Sequence, residues 1–272
     1  TYDRTLDDIF AIQDEIASEI LTQLLERLFT CENCSSTNNQ EVYELYHKGR
    51  HHWNNRTQKD TENAIEYFEK CLIIDPEFTL AYTGLIEAWF IQANRLYENK
   101  DSVLRKCKDT IKLLESKEAD ASGEFFSSKS RIYALEGNEE KSVEYLNAAI
   151  EINPNLPSPH HWLSISHSEN GRNNEAIEEI EKAISLDPKS PIILMAGAWA
   201  YQRIGNHNKQ KELTLKTIEV MPGFQSVEML LGDIYQEQYQ WEKAEKFYNS
   251  FDKHPEYTDN LDNKFQLFGY KF

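Results

Sequence analysis

The chain has 272 residues, 40% of them apolar and 12% aromatic, with only 10 glycines and 8 prolines. That balance excludes a disordered polypeptide and supports packed elements around a real core. Lys plus Arg number 29 against 46 Asp plus Glu, a formal net charge of −17, which makes phosphate backbones and anionic lipid poor direct partners and leaves either a cationic or apolar polypeptide partner, or plain solubility, as the reason for the acid.

Residues 1–30 open the chain with Thr5 and Asp8 in the spacing of a capping box, followed by Ile9, Ile12, Ile16, Ile20, Leu24 and Leu28 on one stripe. The spacing predicts a long amphipathic helix. The polar stretch 31–40 reads as a linker. Its Cys31 and Cys34 form a single C-x-x-C without the second ligand pair that a structural zinc site needs, and without the α/β setting of a redox motif. Cys71 and Cys107 fall on predicted helices as small apolar fillers, so no disulfide framework is expected.

From residue 41 to about 255 the chain repeats itself. A first unit, 41–76, carries Gly49, Ala64, Phe68, Cys71 and Pro76, with about three extra residues assigned to the turn RTQKD. His47 and His51 lie four apart on a helix after Glu44 and could share a face. Lys48 stands where a zinc protease would carry its glutamate, so these are read as surface or packing histidines, and no metal is expected. A second unit is marked by Ala81, Tyr82, Leu85 and Trp89. From Pro76 to Pro154 is 78 residues, ten more than two periods, and the surplus is assigned to IQANRLYENKD as a loop or as extra helical turns.

Beyond this the rhythm is regular. Pro154, Pro188 and Pro222 are spaced by 34, as are Tyr133, His167, Tyr201 and Tyr235, then Gly137, Gly171, Gly205 and Tyr239, then Ala149, Ala183, Thr217 and Phe251. Each unit reads as two amphipathic helices. Gly171 suits the left-handed end of a first helix, Leu163 and Ile180 fill the space between helices, small Ala176 and Ala183 permit close approach, and Pro188 blocks extension of the second helix. One such hairpin cannot bury its own apolar surface and must stack on neighbours. The last unit, with Leu231, Gly232, Tyr235, Ala244 and Tyr248, is atypical in Phe251 and in lacking the closing proline. The tail 256–272 carries Phe265, Leu267, Phe268, Tyr270 and Phe272, and is read as a cap on the last hairpin, with insertion into the groove or pairing with an absent domain as alternatives.

The 34-residue period, the small-residue columns, the aromatic late in the first helix and the closing proline resemble the tetratricopeptide repeat; Gln210, Thr217 and Phe251 depart from its alanines. The resemblance implies an all-α, right-handed superhelix of about six helix hairpins behind an extra N-terminal helix. It also implies a non-enzymatic module that takes a protein or peptide segment on the concave face of its first helices. Helical spacing nominates Arg131, His161, Ile165, Met195, Trp199, Gln202, Met229 and Asp233 for that face. This groove reads as mixed apolar with few cations, and the Lys/Asn/Arg set that some family members use to hold a C-terminal carboxylate is not apparent. Recognition of such a carboxylate is therefore not expected.

No Gly-rich phosphate loop, nucleophile elbow or catalytic ligand set is present, and Glu178, Glu179 and Glu181 read as a solvated face, so no cofactor and no catalysis are expected. The wording YDR-x-LDDIFAIQDEIA is similar to a segment that joins an upstream effector, such as a nucleotide cyclase or winged-helix regulator, to tetratricopeptide repeats in bacterial signalling proteins. That resemblance implies a chain that is the C-terminal, regulatory part of a larger protein. The chain begins on Thr1, with no secretory signal and no run of membrane-spanning length, and a cytoplasmic location is the expectation.

Overall fold

The computed structural model describes residues 39–117, 122–222 and 227–252. The N-terminal helix expected from the sequence, Cys31 and Cys34, and the aromatic tail lie outside these residues. The described residues form twelve α-helices and no strand. They pair in chain order as six hairpins: α1 (Gln40–Asn55) with α2 (Gln58–Ile74), α3 (Thr79–Asn94) with α4 (Lys100–Ser116), α5 (Gly123–Glu136) with α6 (Glu139–Ile152), α7 (Pro157–Glu169) with α8 (Asn173–Leu186), α9 (Pro191–Arg203) with α10 (His207–Val220), and α11 (Val227–Glu237) with α12 (Trp241–Asp252). Each hairpin packs on the next, so the molecule is an α-solenoid.

The backbone shows why the hairpins turn where they do. Each first helix ends on a residue with positive φ: Arg56, Leu96, Gly137, Gly171, Gly205 and Tyr239. At Gly171 its own N–H bonds to the Ser168 carbonyl and the Arg172 N–H to the His167 carbonyl, the paired bonds of a Schellman ending. Each of four second helices stops two residues before a proline. The residue ahead of that proline is extended, as at Asp75 (φ −133°, ψ 92°), Asn153 (φ −139°, ψ 93°) and Asp187 (φ −137°, ψ 81°), with Met221 likewise preceding Pro222. The proline ring clashes with a helical conformation at the residue before it, which is how the sequence sets the stop.

The two helices of a hairpin are unequal. In α9 nearly every side chain from Pro191 to Tyr201 is buried, whereas α8 buries only the line Ala176, Ile180 and Ala183. From α3 to α10 the first helices are therefore the more enclosed and the second helices form an outer layer with one wet face, whereas α1 and α2 bury short lines of similar length.

Two assignments from the sequence are corrected. Between the two helices of the first unit lie only Arg56 and Thr57. Thr57 caps α2 by accepting from the Asp60 N–H, so Gln58, Lys59 and Asp60 are its first turn and the extra length is helical. In the second unit the ten-residue surplus is not confined to IQANRLYENKD. It is shared among longer α3 and α4, the turn after α3 and the connection after α4. Short local extensions keep both helices in register with their neighbours, where one long loop would not.

Candidate functional site

The face of the first helices is built from positions that recur hairpin by hairpin. Counting from each helix start, the ninth residue is Glu87 in α3, Arg131 in α5, Ile165 in α7 and Trp199 in α9. The fifth is Thr83, Ser127, His161 and Met195 in the same helices. Fifth and ninth residues lie one turn apart on the same side of a helix.

At the centre of this row the structure gathers charge. Arg131 is 2% exposed, and its Nε and Nη2 donate to Ser130 Oγ at 3.1 and 2.7 Å. Its guanidinium carbon lies 4.1 Å from the ring centre of Trp162 and 5.2 Å from that of Phe90. Arg56, from the α1–α2 turn, is also 2% exposed and lies 3.6 Å over the Trp53 ring. None of its three guanidinium nitrogens finds a hydrogen-bond partner, and neither do Trp53 Nε1, Trp162 Nε1 or the hydroxyls of Ser127 and Ser128.

Glu87, 7% exposed, is the carboxylate whose field acts on both arginines, and its own Oε2 is buried without a hydrogen bond. Burial pushes the Arg131 guanidinium down to about 9, opposed by Glu87. It pushes Arg56 down as well, again opposed by Glu87, with Arg95, Arg50 and Arg131 adding repulsion. His161, 3% exposed, is held down to about 3, first by burial and then by Arg56 and Arg131, so it is neutral at pH 7.

Of the residues nominated from sequence, Arg131 and His161 belong to this cluster, and Ile165 and Trp199 lie half-buried along the same row. Gln202 Nε2 donates to Asp233 Oδ2 at 2.8 Å, linking α9 to α11. Met195 is 3% exposed among Ile192, Leu194, Ala198, Leu213 and Leu230. It is thus enclosed in the core of the later hairpins. The side chain of Met229 lies outside the described residues.

The reading of few cations is corrected around Arg56, since Arg50, Arg95 and Arg131 all lie within electrostatic reach of it. Arg56 was hidden in a stretch read as a loose turn. Glu87 was hidden by the 44-residue spacing between the starts of α3 and α5; aligning the second unit on its first helix would have placed it in the Arg131 column. Glu179 is corrected too. It is half-buried and pairs with His160 Nδ1 at 2.6 Å and Lys182 Nζ at 2.7 Å, while Glu181 accepts from the Tyr201 hydroxyl. His52 meets Asp60 at 2.7 Å and stacks on Tyr67, and the described residues contain no group of three metal ligands.

A row of stacked hairpins with proline-stopped second helices defines a repeat solenoid. The family model of the tetratricopeptide repeat matches residues 55–78, 124–156 and 158–190. Tetratricopeptide repeats are thus detected in those three stretches. Over 94 residues it is 31% identical to cell division cycle protein 27 homolog A of Arabidopsis thaliana, a stretch that makes up 35% of this chain and 13% of that protein. The chain thus spans only a small part of that relative's length.

Among solved structures it is similar to a monomeric mutant of IFIT1 determined with m7Gppp-AAAA (18% identity, TM-score 0.59, 78% of this chain and 50% of that one). It is also similar to TTC0263, a thermophilic tetratricopeptide repeat protein of Thermus thermophilus (17%, 0.51, 75% and 99%), and to PilF of Pseudomonas aeruginosa (14%, 0.52, 68% and 79%). At these identities the likeness is one of fold. No helix among the described residues is long and apolar enough to cross a membrane.

Proposed function

We propose that the solenoid is a non-enzymatic binding module that receives a polypeptide segment along the face of its first helices, with Arg131, His161, Ile165, Trp199, Gln202 and Asp233 on the receiving side. The observation that carries this reading is the polar row itself. Packing one hairpin on the next asks only for apolar and small side chains, yet the fifth and ninth positions hold Thr83, Glu87, Ser127, Arg131 and His161 under cover. Buried polar groups cost free energy that stacking alone does not recover, and a ligand that meets them accounts for their presence. The net charge of −17 adds a long-range preference for a segment with basic flanks.

A photocrosslinking residue at Trp199 or Gln202, set against one at exposed Leu215 or Ile73 on second helices, tests it. Partner crosslinks from the first-helix sites and none from the second-helix sites are expected. Equal yields from both would reject the assignment. Met195, at the fifth position of α9 in the same row, is covered by the apolar core of the later hairpins.

A second reading concerns context, and the wording of residues 2–17 favours it. This chain would be the regulatory part of a bacterial, cytoplasmic signalling protein whose effector lies upstream. Sequencing of the reading frame tests that directly, since an upstream region with no cyclase or winged-helix segment rejects it. The same reading takes no nucleic acid, membrane, metal or cofactor as a direct partner of this segment.

A further inference from the structure

Three hairpin tips turn on a glycine with positive φ, and the residue ahead of that glycine differs: Glu136, Asn170 and Ile204. Asn170–Gly171 is the single Asn-Gly pair in the chain. Both residues are exposed, and a β-carbon on Gly171 would meet nothing within 4 Å. The backbone nitrogen of a glycine, with no β-carbon beside it, is the least hindered for attack on a preceding asparagine amide, a reaction that helps to make asparagine a thermolabile residue.

The Asn170 amide also joins two hairpins. Its Nδ2 donates to the Ser166 carbonyl at 2.8 Å and to Glu139 Oε1, and the same Oε1 accepts from Ser166 Oγ at 2.8 Å. Ser166 and Asn170 stand at the end of α7 in the fourth hairpin, whereas Glu139 opens α6 in the third. These bonds turn the side chain back along α7, and the Gly171 N–H is itself engaged, donating to the Ser168 carbonyl at 3.2 Å. The closed tip therefore keeps the two reacting groups apart, and Glu139 acts as its latch.

We propose that Asn170 is a deamidation site whose rate is set by the opening of this latch. In the step, the Gly171 nitrogen gives its proton to hydroxide and bonds to Asn170 Cγ. The Cγ–Nδ2 bond breaks, and Nδ2 takes a proton from water and leaves as ammonia. Water then adds to one carbonyl of the cyclic imide and opens it, which leaves aspartate or isoaspartate at position 170. Nothing is oxidised or reduced, and water is the one co-reactant. The product loses the donor that met Glu139 and sets a carboxylate against it, at the C-terminal end of α7 where the helix dipole disfavours negative charge. Ammonia is lost to solvent, so the change runs one way, and the junction of the third and fourth hairpins loosens as the molecule ages.

The test incubates the full chain in warm buffer at pH 8 and follows the peptide holding Asn170 and Gly171 by mass spectrometry, with the chain unfolded in urea as the reference for an open tip. The native wild type is expected to convert amide to acid at this position, with isoaspartate among the products, more slowly than in urea. Glu139→Ala is expected to speed the native conversion roughly fivefold, the factor that one net hydrogen bond contributes to local opening. Asn170→Gln should abolish it, because the longer side chain would have to close a larger ring. Asn170→Asp, standing in for the product, should exchange the amide hydrogens of Gly171 and Arg172 faster than wild type, with those of α1 to α4 unchanged. A native chain that does not convert while the urea sample does would overturn the site. A native rate that Glu139→Ala leaves unchanged would overturn the latch.

Discussion

Leu96 holds φ 60° in the turn after α3, where three of the other hairpins place glycine. A β-carbon in that conformation crowds the following carbonyl at a cost of about 1–2 kcal/mol, partly offset because glycine loses more backbone freedom on folding. Leu96 is 57% exposed, so little packing is lost with its side chain. Leu96→Gly is expected to stabilise the protein by about 0.5–1 kcal/mol in urea unfolding; a lower midpoint would show that the side chain contributes packing after all.

His161 carries a pH signature of opposite character. Its folded pKa lies near 3 against an ordinary value of 6.5, so the unfolded chain takes up a proton below 6.5 while the native state does not. Stability from this group is therefore complete above pH 6.5 and falls as the pH drops towards 3, by roughly 2 kcal/mol at pH 5. Against a background set by all other groups, His161→Gln should lose less stability than wild type between pH 7 and pH 5. Parallel pH profiles would contradict the burial of this ring beside Arg56 and Arg131.

At the scale of the helix pair, Phe68 shows how a repeat converts small residues into proximity. Its ring is fully buried where α2 meets α1 and α3, and a β-carbon on Gly49 or Gly84 would sit 2.6 or 2.9 Å from ring atoms. Gly49→Ala gains helix propensity but forces a rigid ring to move in a filled core, and overpacking of this kind costs about 1–3 kcal/mol. A net loss of stability is expected, and Phe68→Leu in the same chain should return part of it. Gly49→Ala that proves stabilising would mean the ring has room to move.

Much of this pairing was legible. Gly49, Ala64 and Phe68 stood at recognisable places, and Gly137, Gly171 and Gly205 marked the turns. Gly84 carried no visible signal, because its reason is a ring on another helix. Arg56 was misplaced for a related cause: it occupies a left-handed turn, a position where the pattern elsewhere shows glycine. The pairing of His160 with Glu179 across α7 and α8 was equally invisible, since helical spacing alone gives a half-buried glutamate on a second helix the look of a wet one.

For the whole molecule, the 34-residue rhythm of Pro154, Pro188 and Pro222 set the architecture, and the core follows it as overlapping segments rather than one mass. Val42, Phe68, Cys71 and Leu85 hold α1–α3. Ile86, Cys107, Ile111, Phe125 and Ile132 hold α3–α5. Met195, Leu213, Val227 and Leu230 hold α9–α11. Where hairpins contact only their neighbours, stability is a sum of unit and interface contributions, and damage stays local. Leu230 is fully buried at the α9–α11 contact, so Leu230→Asp places an unpaired carboxylate there. Hydrogen exchange should then show protection lost across α9 to α12, with α1 to α4 at wild-type rates. Loss of protection along the entire chain would mean that the six hairpins fold as one cooperative body, and that the neighbour-to-neighbour segmentation of the core does not govern how the solenoid opens.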